Sequence, residues 1–328
     1  MVQPSFIIIL PLILYYRRYH YTMSRFEVNI LGCGAAKPTL QHLPTAQIVN
    51  VRDKLFMIDC GEGAQVSVCR AKLNLNRLGH IFLSHLHGDH CFGLFGLLST
   101  MGLSGHMGEV VIHAHPDAER LFRPMFDYFC RENPFEIRFN AISPTAGEVI
   151  YSDRSVTVRS IPLKHRIPTC GFLFEEAPGE RHLRGDMLQF YNIPTYRRAA
   201  IKQGEDYVTD DGRTIPNELL TLPPTPAARY AYCSDTVCTE RIVPIIEGAD
   251  VLYHEATYAD AEEALARATY HSTARQAARI ARQAQVGKLL LGHYSSRYRD
   301  KTLLLEQAQE EFAHTALAHE GMKITIRK

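Results

Sequence analysis

None of the eight cysteines pairs with another as CxxC, the charges nearly cancel at a formal +1, and no apolar run is long enough to cross a bilayer. Each shortage excludes something. The scattered cysteines (Cys33, Cys60, Cys69, Cys91, Cys130, Cys170, Cys233, Cys238) do not make a disulfide framework. Several sit inside apolar strand-like runs, so they read as buried reduced thiols of a cytoplasmic protein. With no overall excess of positive charge, an RNA substrate would have to be met by a local basic surface. The longest apolar stretch, Phe6 to Tyr16, is too short for a spanning helix. It also makes a poor signal peptide, because no basic residue precedes it, Arg17 and Arg18 follow it, and no small-residue cleavage site appears. The expectation is a chain that starts at Met23 and makes no membrane contact, with residues 1–22 a doubtful extension. A tethered or exported form is the alternative, and mass spectrometry of the native N-terminus separates the two.

What is present is an ordinary globular composition over 328 residues, enough for one large α/β domain or two smaller ones. Strand-like runs occur at Phe26 to Leu31, at Gln47 to Val51 and Leu55 to Asp59 with a turn at Arg52, Asp53 and Lys54, and at His80 to Ser84. Helical periodicity marks Ala64 to Leu75, a segment from Phe92, Ala118 to Phe129 and Ala274 to Ala284. Further strands are expected at Glu109 to Ala114, Ile137 to Ile142, Val156 to Leu163, Gly171 to Phe174, Tyr230 to Cys233, Val251 to Tyr253, Lys288 to Leu291 and Lys323 to Ile326. Such alternation suggests sheets covered by helices. Residues 178–226 break the rhythm with many glycines and prolines and little period, and they read as an inserted arm.

Chemistry concentrates in Ser84 to His90, SHLHGDH, at the end of a strand. Three imidazoles and a carboxylate gathered there are the donor set that zinc prefers. A two-metal site needs more ligands, and isolated candidates follow other strands: His165, Asp235 and His293. Taken singly, each is equally an ordinary loop histidine or a helix-capping aspartate; together they form a coherent set.

With this series, SHLHGDH resembles the metallo-β-lactamase superfamily, whose two αββα halves hold metals at one edge of the packed sheets. The words YCSDT (Tyr232 to Thr236), HEATY (His254 to Tyr258), HSTARQAA (His271 to Ala278) and GHYSSRY (Gly292 to Tyr298), with LGCGAAKPT and IDCGEGAQ upstream, resemble ribonuclease Z, over everything after Met23. The resemblance implies a four-layer αββα sandwich (α/β) spanning 23–328, with the arm as a flexible substrate-binding exosite. It implies two Zn2+ per subunit, with manganese the alternative. His85, His87 and His165 would hold the first ion, Asp89, His90 and His293 the second, and Asp235 would bridge them. His271 becomes the proton donor, oriented by Glu255, and Asp89 also serves the attacking water. Asp59 is expected behind a zinc histidine. Locally, Thr273 and Gln276 form a T-x-x-Q capping box that puts His271 just before a helix. The implied function is removal of the 3′ trailer from precursor tRNA by a cytoplasmic homodimer.

Two features depart from that family. The arm keeps GEDYVTDDGR but lacks the glycine-proline pair of many short bacterial members, which leaves Tyr196, Arg197, Arg198 and Lys202 as candidate stacking and phosphate contacts. A solvated charge run is the other reading of them. AKPTLQHLPT replaces a basic loop near the cleavage site, with Lys37 and His42 its basic groups. Arg297 is a further candidate phosphate contact, an exposed loop arginine being the alternative. A phosphodiesterase of the same fold acting on small or cyclic diesters would carry a similar cluster, and a non-catalytic RNA-binding scaffold would be expected to have lost ligands.

Overall fold

The computed structural model describes residues 26–327, so the expectations about Met23 and residues 1–22 fall outside it. The first half runs β1 (Phe26–Gly32), β2 (Ala46–Val51), β3 (Lys54–Cys60), α1 (Ala64–Arg70), β4 (Leu78–Phe82), α2 (Gly88–Cys91), α3 (Leu94–Leu103), β5 (Gly108–Ala114), α4 (Asp117–Phe129) and β6 (Phe135–Ala141). The β2–β3 turn is the expected one. Arg52 and Asp53 have φ of 49° and 66°, the pair of positive values a tight two-residue hairpin requires. The helix expected over Ala64 to Leu75 ends at Arg70. Lys72 turns left-handed (φ 53°) and the Asn74 side chain caps a separate short turn at Leu75–Arg77.

The second half opens with β7 (Val149–Ser152), β8 (Val156–Pro162) and β9 (Cys170–Glu176). The insertion then contributes β10 (His182–Leu183), α5 (Gly185–Phe190), α6 (Arg198–Lys202), β11 (Tyr207–Val208), β12 (Thr214–Ile215), α7 (Asn217–Leu220) and β13 (Thr221–Leu222). It is more regular than its glycine and proline content suggests. Leu188, Ile193, Ile201, Tyr207, Ile215 and Leu220 form a small core of their own. Asn217 ties the unit together by donating to the carbonyls of Ile201 (2.7 Å) and Glu205 (2.8 Å). The chain continues as β14 (Arg229–Cys233), α8 (Val243–Ile246), β15 (Val251–Glu255), α9 (Glu263–Thr269), α10 (Ala274–Gln283), β16 (Lys288–Gly292), α11 (Thr302–Gln309), β17 (Thr315–Leu317) and β18 (Lys323–Arg327).

Two seven-stranded mixed sheets result, ordered β18-β1-β2-β3-β4-β5-β6 and β17-β16-β15-β14-β9-β8-β7. Their facing sides share one core containing Phe56, Phe82, Phe172, Phe174 and Tyr232. A second core lies between the first sheet and α1, α3 and α4. On the opposite flank α10 turns Ala274, Ala277, Ala278 and Ala281 inward, small side chains that let the helix lie close to its sheet. The layers are therefore α, β, β, α, as expected. β18 returns to pair with β1, so the last strand closes the first sheet. All eight cysteines are free, and among the described residues no helix is long and apolar enough to cross a membrane.

Candidate metal centre

Every residue of the SHLHGDH series and its partners hangs from the C-terminal end of a strand. β4 runs out into Ser84, His85 and His87, and the single turn of α2 then presents Asp89 and His90. His165 follows β8, Asp235 follows β14 and His293 follows β16. Asp59, Asp235 and His293 hold left-handed backbone (φ 54°, 56° and 55°), a conformation that costs about 1–3 kcal/mol in a non-glycine residue and tends to cluster where function demands it.

The donor atoms form two groups. In the first, His85 Nε2 lies 3.0 Å from His87 Nδ1, which lies 3.3 Å from His165 Nε2; Asp235 Oδ2 is 3.7 Å from His85 and 3.6 Å from His165. In the second, Asp89 Oδ2 and Asp235 Oδ1 lie 3.6 and 3.2 Å from His90 Nε2, and 3.7 and 3.0 Å from His293 Nε2. Ligands at ~2.0–2.1 Å from a tetrahedral ion stand roughly 3.3–3.4 Å apart, so both groups have the spacing of a metal cage. His90 Nε2 and His293 Nε2 are buried and face only carboxylate oxygens, Asp235 Oδ1 nearest at 3.2 and 3.0 Å, with no other partner, so both point into a space that a cation would fill. The residues present therefore fit a metal pair, with the two oxygens of Asp235 serving one group each.

Behind the donors, a supporting layer fixes the rings. Asp59, wholly buried, accepts from His90 Nδ1 (2.8 Å), Ser84 N (2.7 Å), Ser84 Oγ (2.9 Å) and Tyr232 OH (2.7 Å). His85 Nδ1 meets Ser84 Oγ at 3.0 Å, His165 Nδ1 meets the Tyr270 carbonyl at 3.0 Å, and His293 Nδ1 meets Thr257 Oγ1 at 3.0 Å. The Ala36 amide donates to Asp89 Oδ2 at 2.7 Å. Such contacts set the tautomer and aim of a ligand histidine. Asp59 was expected in this role. Ser84, Thr257 and Tyr232 were not, although all three lie inside the quoted words SHLHGDH, HEATY and YCSDT.

Burial holds His85 well below the usual imidazole range and also lowers His87 and His165, so these three favour the neutral form that ligates metal. His90 and His293 are different. Burial works against their charge, but Asp235, with Asp59 beside His90 and Asp89 beside both, pushes His90 well up and His293 to about 10. Burial also opposes ionisation of Asp235, and the histidines around it nevertheless hold it well below the carboxylate range. This half of the centre demands positive charge.

His271 stands between the two groups, its ring 5.1 Å from that of His165 and 5.4 Å from that of His293. Its Nδ1 meets Glu255 Oε1 at 3.0 Å. Glu255 is wholly buried and also accepts from the amides of Thr236 (2.6 Å) and Ser272 (3.1 Å) and from Thr257 Oγ1 (2.6 Å). Burial lowers the His271 pKa, but Glu255 outweighs it and the net shift is upward. The capping box is present: Thr273 accepts from Gln276 N, and the Gln276 side chain accepts from Thr273 N.

These groups open into a cleft of ≈ 620 Å³. Lys37, Arg166 and the exposed Phe92 line it; Phe92 was expected only as the start of a helix and Arg166 had no expected role, although they adjoin the SHLHGDH run and His165. Arg297 does not line it; its guanidinium lies 5.3 Å from the ring centroid of Tyr258, which does. Tyr196, Arg197, Arg198 and Lys202 are all in the insertion, and none of them lines the cleft. Tyr196 is 82% exposed, and Lys202 pairs with Glu180 at 3.2 Å.

A family model described as anti-Pycsar protein Apyc1 matches residues 26–177, ending where the insertion begins. A ribonuclease Z from Parabacteroides distasonis is 54% identical over 304 residues, covering 93% of this chain and all of that protein. Among solved structures, human tRNase Z, short form, superposes with a TM-score of 0.67 at 24% identity over 92% of this chain and all of its own. The metallo-β-lactamase fold protein YhfI from Bacillus subtilis gives 0.64 at 18% identity, over 92% of this chain and 99% of its own, which shows the fold.

Proposed function

The chain belongs to the ribonuclease Z family, and from that premise we propose that it is a zinc-dependent endoribonuclease that removes the 3′ trailer of precursor tRNA, leaving a 3′-hydroxyl on the tRNA and a 5′-phosphate on the trailer. One observation carries the reading: a single carboxylate, Asp235, serves two cation-shaped groups of donors. His85, His87 and His165 would hold one Zn2+, and Asp89, His90 and His293 the other. When bound, two such ions supply positive charge beside the phosphate and a water of lowered pKa.

The protein's own groups do the rest. Asp89, aimed by the Ala36 amide, holds or deprotonates the attacking water. Glu255 occupies Nδ1 of His271, which leaves Nε2 to carry a proton to the ribose 3′-oxygen as its bond to phosphorus breaks. Glu255 also keeps His271 protonated to a higher pH, which suits a donor. Lys37 and Arg166 add positive charge along the cleft for the phosphates, with Arg297 at its edge.

Residues 178–226 act as the arm that holds the tRNA body, through Tyr196, Arg197, Arg198 and Lys202. That none of them lines the cleft, and that the arm has a core of its own, support a separate docking unit. The active form is a homodimer. Supporting this, α4 exposes Leu121, Met125, Tyr128 and Phe129 at helical spacing, an apolar stripe suited to a second copy. Eight free thiols, Cys69 among them exposed, suit the cytoplasm.

The test pairs a 3′-extended precursor tRNA with bis-p-nitrophenyl phosphate, for wild type and His271→Ala. The wild type should cut the tRNA just after the acceptor stem. The variant should lose about 10²–10⁴ in kcat on tRNA, and far less on the small diester, whose leaving group needs no proton. Turnover of the diester with the tRNA left intact would move the function to a small-molecule phosphodiesterase; no turnover of either, with no bound metal, would leave a scaffold.

A further inference from the structure

Away from the zinc pair, three chain segments bring a thiol, an imidazole and a carboxylate together. Cys33 follows β1, His42 lies in the loop leading to β2, and Glu320 lies between β17 and β18. Cys33 Sγ is 3.5 Å from His42 Nδ1 and 3.6 Å from Glu320 Oε1, and His42 Nδ1 is 3.2 and 3.0 Å from Glu320 Oε1 and Oε2. With zinc–sulfur bonds of ~2.3 Å and zinc–nitrogen or zinc–oxygen bonds of ~2.0–2.2 Å, a tetrahedron has edges of roughly 3.5–3.6 Å to sulfur and about 3.3 Å between nitrogen and oxygen. All three pairs of elements stand within a few tenths of an ångström of those edges.

We propose that Cys33, His42 and Glu320 form a third, mononuclear site for a divalent transition metal, with zinc the ion its mixed sulfur, nitrogen and oxygen donors select. Cys33 is wholly buried, whereas the side chains of His42 and Glu320 keep 16% and 25% of their surface and line an adjoining cavity of ≈ 470 Å³, so an ion enters from that side. Binding exchanges the Cys33 thiol proton for the ion and releases that proton to solvent. The fourth position is left for water.

The site has a mechanical consequence. Glu320 Oε1 also accepts from the Leu43 amide (3.0 Å), and Gly34 N donates to the Leu43 carbonyl (2.9 Å), so an ion here clamps both ends of the 34–43 loop. That loop carries the Ala36 amide that aims Asp89 and the Lys37 that lines the cleft. The third ion is structural, and it stiffens one wall of the catalytic cleft.

The zinc pair has no sulfur ligand, which makes the proposal separable from it. Metal-stripped full-length protein is titrated with cobalt(II) and followed in the near-ultraviolet for thiolate-to-cobalt charge transfer, alongside zinc counting by mass spectrometry. Wild type should show the band and bind three zinc ions per chain. Cys33→Ala and, independently, His42→Ala should lose the band and fall to two. A wild type with two ions and no charge-transfer band, or a band that survives in either folded variant, overturns the proposal.

Discussion

Replacing Asp59 by asparagine changes one oxygen to an NH2 and tests how the second metal position is built. The Oδ2 that would be lost accepts from Ser84 Oγ, Tyr232 OH and His90 Nδ1, while Oδ1 accepts from the Ser84 amide. The two hydroxyls can rotate to accept from the new NH2. His90 has no such freedom. With Nε2 as the metal-facing atom its proton must sit on Nδ1, where it would meet another donor; the ring escapes only by moving the proton to Nε2, which removes the lone pair a cation needs. Loss of such a supporting contact typically costs 10–100-fold in metal affinity, or about 1.4–2.8 kcal/mol at one position. His85, His87 and His165 do not touch Asp59 directly, so the first ion should remain tight. Competition of Asp59→Asn against a chromophoric chelator should resolve one weakened ion and one unchanged. Equal weakening of both, or of neither, would refute the reasoning.

Glu255→Gln should move the alkaline limb of the pH–rate profile on tRNA to lower pH. The carboxylate raises His271, a donor is active only below its own pKa, and without Glu255 burial pulls that pKa down, so activity is lost sooner as pH rises. An unshifted limb would remove His271 as donor. Ile201→Ala in the arm's core should cost about 2–5 kcal/mol of local stability. It should raise KM for precursor tRNA while leaving diester turnover intact; parallel losses on both substrates would argue against a separate docking unit.

The candidate metal donors were legible because they are local: one seven-residue word and three polar residues, each beginning within three residues of the end of an apolar strand. The alanine-faced α10 and its capping box were legible for the same reason. The supporting layer was not. Tyr232 and Asp59 are 173 positions apart, and only packing the two sheets face to face puts the phenol on the carboxylate. Thr257 reads as a strand-end threonine until His293 arrives beside it from the next parallel strand. The arm hid its order because its helices are at most six residues long, too short to display a helical period, while its core comes from apolar residues scattered along the segment. Position 72 ended α1 early through backbone conformation that composition does not reveal.

The unequal surroundings of the two donor groups predict an order of loading. The imidazoles of the first are held low by burial and are already neutral near pH 7, so an ion entering among His85, His87 and His165 displaces few protons. Those of the second are raised by Asp235 and its neighbours, His293 to about 10, so an ion must displace protons there before it can bind. Each decade of acidity then weakens the second position more than the first. The first ion should therefore load more tightly at neutral pH, with the gap widening as the pH falls. Calorimetric zinc titrations of the metal-stripped Cys33→Ala variant, repeated in buffers of different ionisation enthalpy, count the protons released at each step. A larger release at the second step is the expected result. Equal release at both would mean that the carboxylates around His90 and His293 do not set their charge, and the division of the centre into a neutral half and a proton-holding half would fail.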